Sequence, residues 1–245
     1  MRILILGGTA EARELADRLA ALGHEVINSL AGRTSDPKRP TGSLRVGKFG
    51  GIPGLTAYLR AHRIDRMIDA THPYAGLISI NAVAAAGHAA VPLVRFARPP
   101  WPQPAGVEWI NLVDAEHAAA ALPVGARALV TVGSGELPPF LRRRDCTIFA
   151  RMIERPAADP PRHVQYLISR PPYTVEGEIR LMREHGITHL VTKNSGSDQT
   201  VAKLRAAEAL GIFIIMLVRP LLPRAIEAAT IEDTITALDL PRAIR

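Results

Sequence analysis

The chain has 245 residues, enough for one large or two small α/β domains, and its single cysteine, Cys146, excludes an internal disulfide and fits a reducing cytoplasm. The strongest apolar run, 212–218, is too short to span a bilayer, and charges at Glu11 and Arg13 interrupt any signal peptide, so we expect a soluble protein without a membrane partner. The net charge is +7, but the basic residues are scattered apart from 142–144 and aromatic residues make up 4%, which argues against nucleic acid and favours a small ligand with many carboxylates or phosphates.

Apolar runs typical of strands alternate with helical patterns along the chain. The predicted strands cover residues 3–6, 26–30, 66–70, 91–94, 128–132, 147–150, 164–168, 189–192 and 212–218. The predicted helices cover residues 11–22, 55–62, 78–86, 115–122, 174–185 and 198–210. Because such alternation is typical of parallel sheets, we predict an α/β protein with mainly parallel sheets.

The first strand, 3–6, runs into Gly7, Gly8 and Thr9 and then into a helix that begins near Glu11. Glycines let such a turn adopt positive φ and bring backbone amides close to a ligand, and the N-terminus of the helix attracts anions. The dinucleotide-binding fingerprint would need further glycines at positions 9 and 12. The turn alone therefore leaves two interpretations open, a phosphate site or a plain strand-to-helix turn.

The second predicted strand ends in the sequence Ser29-Leu30-Ala31-Gly32-Arg33-Thr34. NAD-specific proteins place an acidic residue at this point, against the ribose 2′-hydroxyl. Arg33 suits a 2′-phosphate instead, because a guanidinium is a permanently charged bidentate donor, and Ser29 and Thr34 add hydroxyls. The pattern favours NADPH over NADH, with a solvated loop charge as the alternative for Arg33.

The loop Asp69-Ala70-Thr71-His72-Pro73-Tyr74-Ala75 follows the third predicted strand. Ligands of open α/β sheets bind beyond the carboxyl ends of strands, so this loop should flank the Gly7–Glu11 turn. We expect Thr71, His72 and Pro73 to contact the cofactor and Tyr74 to contact the substrate. His72 can change its charge near neutral pH, which makes it a candidate proton donor. The alternative is that these residues only cap and pack the next helix.

A proline-rich segment, 92–106, can form neither a regular helix nor a central strand. We place a domain boundary there, which gives one domain over residues 1–98 and another over residues 99–245. The alternative is a long surface loop within one domain.

Two polar turns follow predicted strands in the second half of the chain, at 131–136 and 192–196. Backbone amides and a hydroxyl in the first can form an anion nest, and the second adds a lysine point charge. The expected carboxylate contacts are Gly133, Ser134, Lys193, Asn194 and Ser195. The alternative for each is a polar turn that faces water. His185 and His189 have the spacing of metal ligands, but Gly186 between them argues against a shared helical face, so we expect no metal.

Four segments taken together resemble the precorrin-6A reductase family of cobalamin biosynthesis. They are residues 7–12 (Gly-Gly-Thr-Ala-Glu-Ala), 31–34 (Ala-Gly-Arg-Thr), 69–75 (Asp-Ala-Thr-His-Pro-Tyr-Ala) and 193–196 (Lys-Asn-Ser-Gly). The likeness runs the full length of the chain. One departure lies at 169–173 (Ser-Arg-Pro-Pro-Tyr), where relatives commonly carry glycine after the arginine and phenylalanine at the end.

The resemblance implies two Rossmann-like domains, an NADPH-binding domain over 1–98 and a substrate-binding domain over 99–245, with the macrocycle in a cleft between them. It also implies NADPH-dependent reduction of one carbon–carbon double bond in precorrin-6A, giving precorrin-6B. The substrate is a tetrapyrrole with many carboxylates, for which Arg170 is a further expected contact. His72, Tyr74, Lys193 and solvent are the candidate proton donors. We expect a monomer or a weak homo-oligomer.

Three other functions remain as alternatives. A cobalt-precorrin-6A reductase would act on the cobalt-containing macrocycle. A tetrapyrrole methyltransferase would bind S-adenosylmethionine at a glycine-rich strand end, but Arg33 argues against it because that cofactor has no 2′-phosphate. A non-enzymatic NADPH-sensing module would have no use for the polar turns of the second half.

Overall fold

The computed structural model describes residues 1–32 and 41–238, and the chain divides into two compact units. Unit 1 comprises Met1–Pro99 and Pro220–Arg245, and unit 2 comprises Pro100–Arg219. Arg33 and Thr34, at which we predicted 2′-phosphate recognition, lie outside the described residues.

Strands and helices alternate along most of the described chain. The strands are β1 (Arg2–Leu6), β2 (Glu25–Leu30), β3 (Ser43–Val46), β4 (Arg66–Asp69), β5 (Leu93–Phe96), β6 (Trp109–Leu112), β7 (Arg127–Val130), β8 (Thr147–Met152), β9 (Val164–Ile168), β10 (His189–Lys193), β11 (Phe213–Leu217) and β12 (Ile226–Ala228). The helices are α1 (Ala10–Ala21), α2 (Gly51–Ala61), α3 (Gly76–Ala89), α4 (Ala115–Ala120), α5 (Pro138–Leu141), α6 (Val175–Glu184), α7 (Ala202–Ala209) and α8 (Ile231–Leu238). The expected α/β class is confirmed.

The sheet of unit 1 has the order β12-β5-β4-β1-β2-β3, and all of its neighbouring strands are parallel. Counted from β3, this is the 3-2-1-4-5-6 order of dinucleotide-binding folds. Its central strand is buried on both faces: Ile3 and Ile5 join the apolar cluster of α1 and α8, and Leu4 and Leu6 join that of α2 and α3. Alternating side chains of one strand thus anchor helices to both faces of the sheet.

The sheet of unit 2 has the order β6-β11-β10-β7-β8-β9 and is also parallel throughout. Leu129 of β7 and Leu190 of β10 lie in its apolar core with Met182 of α6 and Leu204 of α7. Counted from β9, the order is the same as in unit 1, with β6 in the sixth position. The two sheets are therefore built to one plan.

The sixth strand of each sheet comes from an unexpected part of the chain. After β5, the chain continues into β6, which is the sixth strand of the unit 2 sheet. After β11, it continues into β12, which pairs with β5 in unit 1 through Ile226↔Val94 and Ala228↔Phe96. The shared strand order of the two sheets is thus completed in each by a strand from the other half of the chain.

The structure differs from the predicted domain boundaries at the C-terminal end. We assigned residues 99–245 to one domain, whereas β12 and α8 belong to unit 1. Ala228, Ile231 and Leu238 are buried in the core of unit 1, which explains why this segment packs there. The first change of unit falls between Pro99 and Pro100, one residue from the predicted boundary.

Candidate functional site

The carboxyl ends of β1 and β4 lie side by side in unit 1, at the point where the strand order reverses. The chain leaves β1 through α1 towards β2, and it leaves β4 through α3 towards β5 on the other side. Ligands of open α/β sheets bind at such switch points. The structure thus brings together the two loops at which we expected the cofactor.

The turn after β1 is fixed by hydrogen bonds to both neighbouring strand ends. The Gly7 amide donates to the Ser29 carbonyl oxygen at 3.0 Å. The Thr9 hydroxyl donates to the Ala70 carbonyl oxygen at 2.9 Å and accepts from the Ala12 amide at 3.1 Å, so it caps α1. Thr9 therefore joins the turn to the loop after β4 and organises the N-terminus of the helix.

The structure explains why this turn lacks the usual third glycine. In dinucleotide-binding folds that glycine lets the helix pack closely on the strand. Here Ala12 occupies the position and is buried, and a Cβ added at Gly7 would lie 3.4 Å from the Ala12 Cβ. The missing side chain of Gly7 thus lets α1 pack closely on the turn although position 12 carries a Cβ. Gly8 has φ of +112°, and a Cβ at this position would meet nothing within 4 Å, so open space lies next to the turn.

Glu11 lies in the first turn of α1 and forms an ion pair with Arg98, which follows β5. Arg98 Nη1 donates to Glu11 Oε1 at 2.5 Å. Glu11 Oε2 is buried, and within the described residues it has no hydrogen-bond partner. Sequence reasoning identified Glu11 but missed Arg98. The only available indication was an arginine directly before Pro99 at the end of a strand.

The loop after β4 is held from inside by Asp69. Asp69 Oδ1 accepts from the Thr71 hydroxyl at 2.7 Å, and Asp69 Oδ2 lies 3.5 Å from Arg95 Nε. His72 Nδ1 accepts from the Tyr74 amide at 3.3 Å, and the two rings lie 5.7 Å apart. His72 is exposed, and Thr71, Pro73 and Tyr74 are partly exposed, so the loop is open to a ligand.

At the end of β2, Ser29 is buried beside Arg45 of β3. Arg45 Nη1 lies 3.4 Å from the Ser29 hydroxyl and donates to the Gly47 carbonyl oxygen at 2.6 Å. Its guanidinium lies 3.7 Å from the centroid of the Phe49 ring. Sequence reasoning missed Arg45 because β3 was not predicted as a strand, and only strand pairing places Arg45 opposite Ser29.

In unit 2, the turns after β7 and β10 meet in the same way as their counterparts in unit 1. Gly133 has φ of +91° and precedes a short 3₁₀ turn, Ser134–Glu136. Lys193, at the end of β10, forms an ion pair with Glu136, and its side chain is 14% exposed. The predicted nest and the predicted lysine are thus brought together. The lysine already has a carboxylate partner.

The side chain of Asn194 forms two hydrogen bonds with the backbone of Trp101. Its Oδ1 accepts from the Trp101 amide at 2.7 Å, and its Nδ2 donates to the Trp101 carbonyl oxygen at 3.0 Å. Its own carbonyl oxygen accepts from Arg219 Nε at 2.8 Å. Ser195 is buried, with its hydroxyl 3.3 Å from that of Thr200. The side chains of Asn194 and Ser195 therefore contact other residues of unit 2, Trp101 and Thr200.

Arg170 lies past the end of β9, on the outer side of the same sheet. Its Nη2 is 3.3 Å from Glu154 Oε1, and the arginine is 44% exposed. Since β9 is the edge strand, two strands away from β7, Arg170 is set apart from the Glu136–Lys193 pair.

A buried charged cluster in unit 2 was not foreseen from the sequence. It contains Arg151, Glu178 and Lys203, each less than 10% exposed. Arg151 Nη1 lies 2.8 Å from Glu178 Oε1, and Lys203 Nζ donates to the Thr200 carbonyl oxygen at 3.0 Å. Burial, with a smaller effect of Arg151, lowers the pKa of Lys203 to about 7.

The only run of basic residues has a structural role. Arg142 pairs with Glu116, and Arg143 pairs with Asp145 and donates to the Leu122 carbonyl oxygen at 2.7 Å, near the end of α4. Among residues 1–32 and 41–238, no three histidine, cysteine or acidic side chains are placed to share a metal ion. None of the helices in this part of the chain is long and apolar enough to cross a membrane.

A family model described as precorrin-6x reductase CbiJ/CobK matches residues 2–239. The chain belongs to this family. The resemblance drawn from the four segments is thereby confirmed, and with it the class of the protein, a reductase of cobalamin biosynthesis.

Individual relatives agree with the family assignment. Precorrin-6A reductase of Rhodococcus erythropolis is 46% identical over 239 residues, covering 97% of this chain and 96% of that protein. Cobalt-precorrin-6A reductase of Priestia megaterium is 29% identical over 253 residues, covering 96% and 97%. A solved structure titled CobK precorrin-6A reductase superposes with a TM-score of 0.92 at 39% identity and covers both chains completely.

Proposed function

We propose that this chain catalyses the NADPH-dependent reduction of one carbon–carbon double bond in precorrin-6A, giving precorrin-6B. The observation that carries this proposal is the similarity, over nearly the whole chain, to precorrin-6A reductases at up to 46% identity. The more distant relatives, such as that of Priestia megaterium at 29%, are named cobalt-precorrin-6A reductases. This difference favours the metal-free macrocycle as substrate.

Unit 1 suits a dinucleotide at its switch point. The turn from Gly7 to Thr9 leaves open space above Gly8, and α1 directs its N-terminal amides and positive dipole end towards that space. We assign the diphosphate to Gly7, Gly8, Thr9 and the first turn of α1, which includes Glu11. When bound, the reduced nicotinamide supplies a hydride.

The 2′-phosphate of NADPH is assigned to Ser29, Arg33 and Thr34, where the second strand ends. Arg45 lies against the Ser29 hydroxyl and adds a second guanidinium next to this position. Guanidinium groups favour a phosphate over a bare hydroxyl, and the described residues at this strand end, 29–32, carry no carboxylate. Asp36, close by in the sequence, lies outside the described residues.

Thr71, His72 and Pro73 are assigned to the nicotinamide half of the cofactor, and Tyr74 to the substrate. Because His72 Nδ1 accepts a hydrogen bond from the Tyr74 amide, a neutral His72 carries its proton on Nε2. That atom, the Tyr74 hydroxyl, the Lys193 ammonium and solvent are the proposed candidates for delivering a proton to the reduced macrocycle.

In unit 2, the carboxylates of the macrocycle are assigned to Gly133, Ser134, Arg170 and Lys193. Glu136 holds the Lys193 ammonium in place, and a substrate carboxylate would take over that contact. Asn194 and Ser195 contribute by fixing the loop after β10, since their side chains already bind Trp101 and Thr200.

Purified protein mixed with NADPH and precorrin-6A tests the proposal through the loss of nicotinamide absorbance. We expect turnover with precorrin-6A and NADPH, weaker turnover with NADH, and precorrin-6B as the product by mass spectrometry. Turnover with cobalt-precorrin-6A alone would assign the enzyme to the cobalt route. Methyl transfer from S-adenosylmethionine, or binding of NADPH without reduction, would contradict the proposal.

The proton donor is tested with His72→Ala, Tyr74→Phe and Lys193→Ala. Loss of a general acid typically slows turnover by a factor of about 10² to 10⁴. We expect one of the three variants to lose kcat by that amount and to keep its affinity for NADPH. Normal turnover in all three would assign the proton to solvent.

A further inference from the structure

Arg98 occupies a position that the proposed reaction does not explain. It follows β5, and it reaches the first turn of α1, where it pairs with Glu11. Both side chains are mostly buried, at 11% and 21% exposed. The pair thus lies beside the turn to which we assign the cofactor diphosphate.

A carboxylate at this point creates an electrostatic conflict. The positive end of the α1 dipole stabilises the Glu11 carboxylate, and it would stabilise a bound phosphate for the same reason, since both are anions. Two anions in one partly buried site repel each other strongly, since screening by solvent is weak there. Glu11 without a counter-charge would therefore oppose binding of a diphosphate.

We infer that Arg98 is a positioning residue for cofactor binding, which neutralises Glu11 and holds its carboxylate so that the diphosphate can occupy the N-terminus of α1. This inference rests on the proposed NADPH-dependent function. Arg98 Nη1 contacts Glu11 Oε1, and Oε2 has no hydrogen-bond partner within the described residues. Within the described residues, the Arg98 guanidinium is thus the counter-charge that pairs with this carboxylate.

Arg219 is the counterpart of Arg98 in unit 2. It follows β11 as Arg98 follows β5, and each arginine directly precedes a proline. Arg219 Nε donates to the Asn194 carbonyl oxygen, in the loop after β10. In both units, the arginine at this place thus contacts the segment that follows another strand, and in unit 1 that contact is to the Glu11 carboxylate.

The test measures the Kd of NADPH by calorimetry, using the full chain at low and at high salt. Arg98→Met should raise Kd about tenfold at low salt, and most of this effect should persist at high salt, because the repulsion from Glu11 acts in a partly buried site that salt screens weakly. Arg98→Lys, which keeps the charge, should bind nearly as well as the unaltered chain. The double variant Glu11→Gln, Arg98→Met should recover affinity, because both charges are gone.

Arg18→Met is the matched control. Arg18 lies in the last turn of the same helix and is paired with Glu232 at 2.6 Å. Its replacement by methionine changes the net charge by the same amount as Arg98→Met. It should leave Kd unchanged. Thermal unfolding checks that each variant is folded.

Three outcomes would overturn the inference. A double variant that binds as weakly as Arg98→Met would show that Arg98 acts only on the structure. An unchanged Kd in Arg98→Met would show that Glu11 needs no counter-charge. In both of these cases the unaltered chain still binds NADPH, so the proposed function stands while the inference about Arg98 fails. A complete lack of NADPH binding by the unaltered chain would overturn both.

Discussion

Lys203 provides the sharpest test of the energetics of unit 2. Its ammonium group is buried, donates to the Thr200 carbonyl oxygen, and lies 5.0 Å from the centroid of the Trp101 ring. Its pKa is lowered from 10.5 to about 7, mainly by burial and to a smaller extent by Arg151, while Glu178 partly offsets these effects. Replacing Lys203 with methionine removes the charge, keeps a similar volume, and leaves the Arg151–Glu178 ion pair in place.

The change in stability with pH follows from this shift. Between about pH 7 and 10.5, the unfolded chain binds a proton that the folded chain does not, so the free energy of unfolding rises with pH. A full pKa unit corresponds to about 1.4 kcal/mol. From pH 6 to 8.5, this group alone should therefore add about 2 kcal/mol to the stability of the protein. Lys203→Met should lose this increase and be the more stable of the two near pH 6.

Urea unfolding followed by tryptophan fluorescence is the appropriate assay. Both tryptophans of the chain, Trp101 and Trp109, are buried in unit 2, so the signal reports on the unit that contains Lys203. Burial raises the pKa of the Cys146 thiol above 9.0, which lowers stability at higher pH, so measurements stay at or below pH 8.5. Lys48→Met, at an exposed position, is the control for loss of one positive charge.

Equal pH dependence in the unaltered chain and in Lys203→Met would refute this reasoning, because it would mean that Lys203 titrates alike in the folded and unfolded states. A stability that falls from pH 6 to 8.5 only in the unaltered chain would refute it too. A Lys48→Met variant that lost the same increase would assign the effect to net charge.

Three further predictions concern the candidate site. Arg33→Ala should reduce the preference for NADPH over NADH, measured as the ratio of the two kcat/KM values; an unchanged ratio would contradict the 2′-phosphate assignment. Thr9→Val removes the helix cap and the bond to Ala70 and should cost about 1–2 kcal/mol in urea unfolding followed by circular dichroism, whereas Thr9→Ser should cost much less. Asn194→Ala should lower the free energy of unfolding by about 1–3 kcal/mol and expose Trp101, detected as a red shift of its fluorescence. An unchanged spectrum and stability would show that the two hydrogen bonds between Asn194 and Trp101 are dispensable.

The central strands were predictable because each carries an apolar run. All nine predicted strands correspond to strands of the structure, among them β1 with its Ile-Leu-Ile-Leu sequence. The three strands that were missed, β3, β6 and β12, all lie at sheet edges. Edge strands are short and partly exposed, as in Ser43–Val46, so their sequences carry little apolar pattern.

The loops of the candidate site were predictable for a related reason. Parallel strands bring their carboxyl ends to one edge, so the turns after β1 and β4 had to lie close together, as the Thr9–Ala70 hydrogen bond confirms. The partners of the site residues were not predictable. Arg98 lies 87 residues from Glu11, and no local pattern links them.

The sequence by itself determined the parallel α/β class, the central strands and the family, because apolar runs and glycine turns are local features that the chain carries wherever it folds. Only the tertiary structure decided that β12 belongs to the first sheet, that Lys193 is paired with Glu136, and that Glu11 is neutralised by Arg98. Strand pairing uses backbone hydrogen bonds that are alike for nearly all residues, and an ion pair depends on distance in space. Neither leaves a signature in the order of the amino acids.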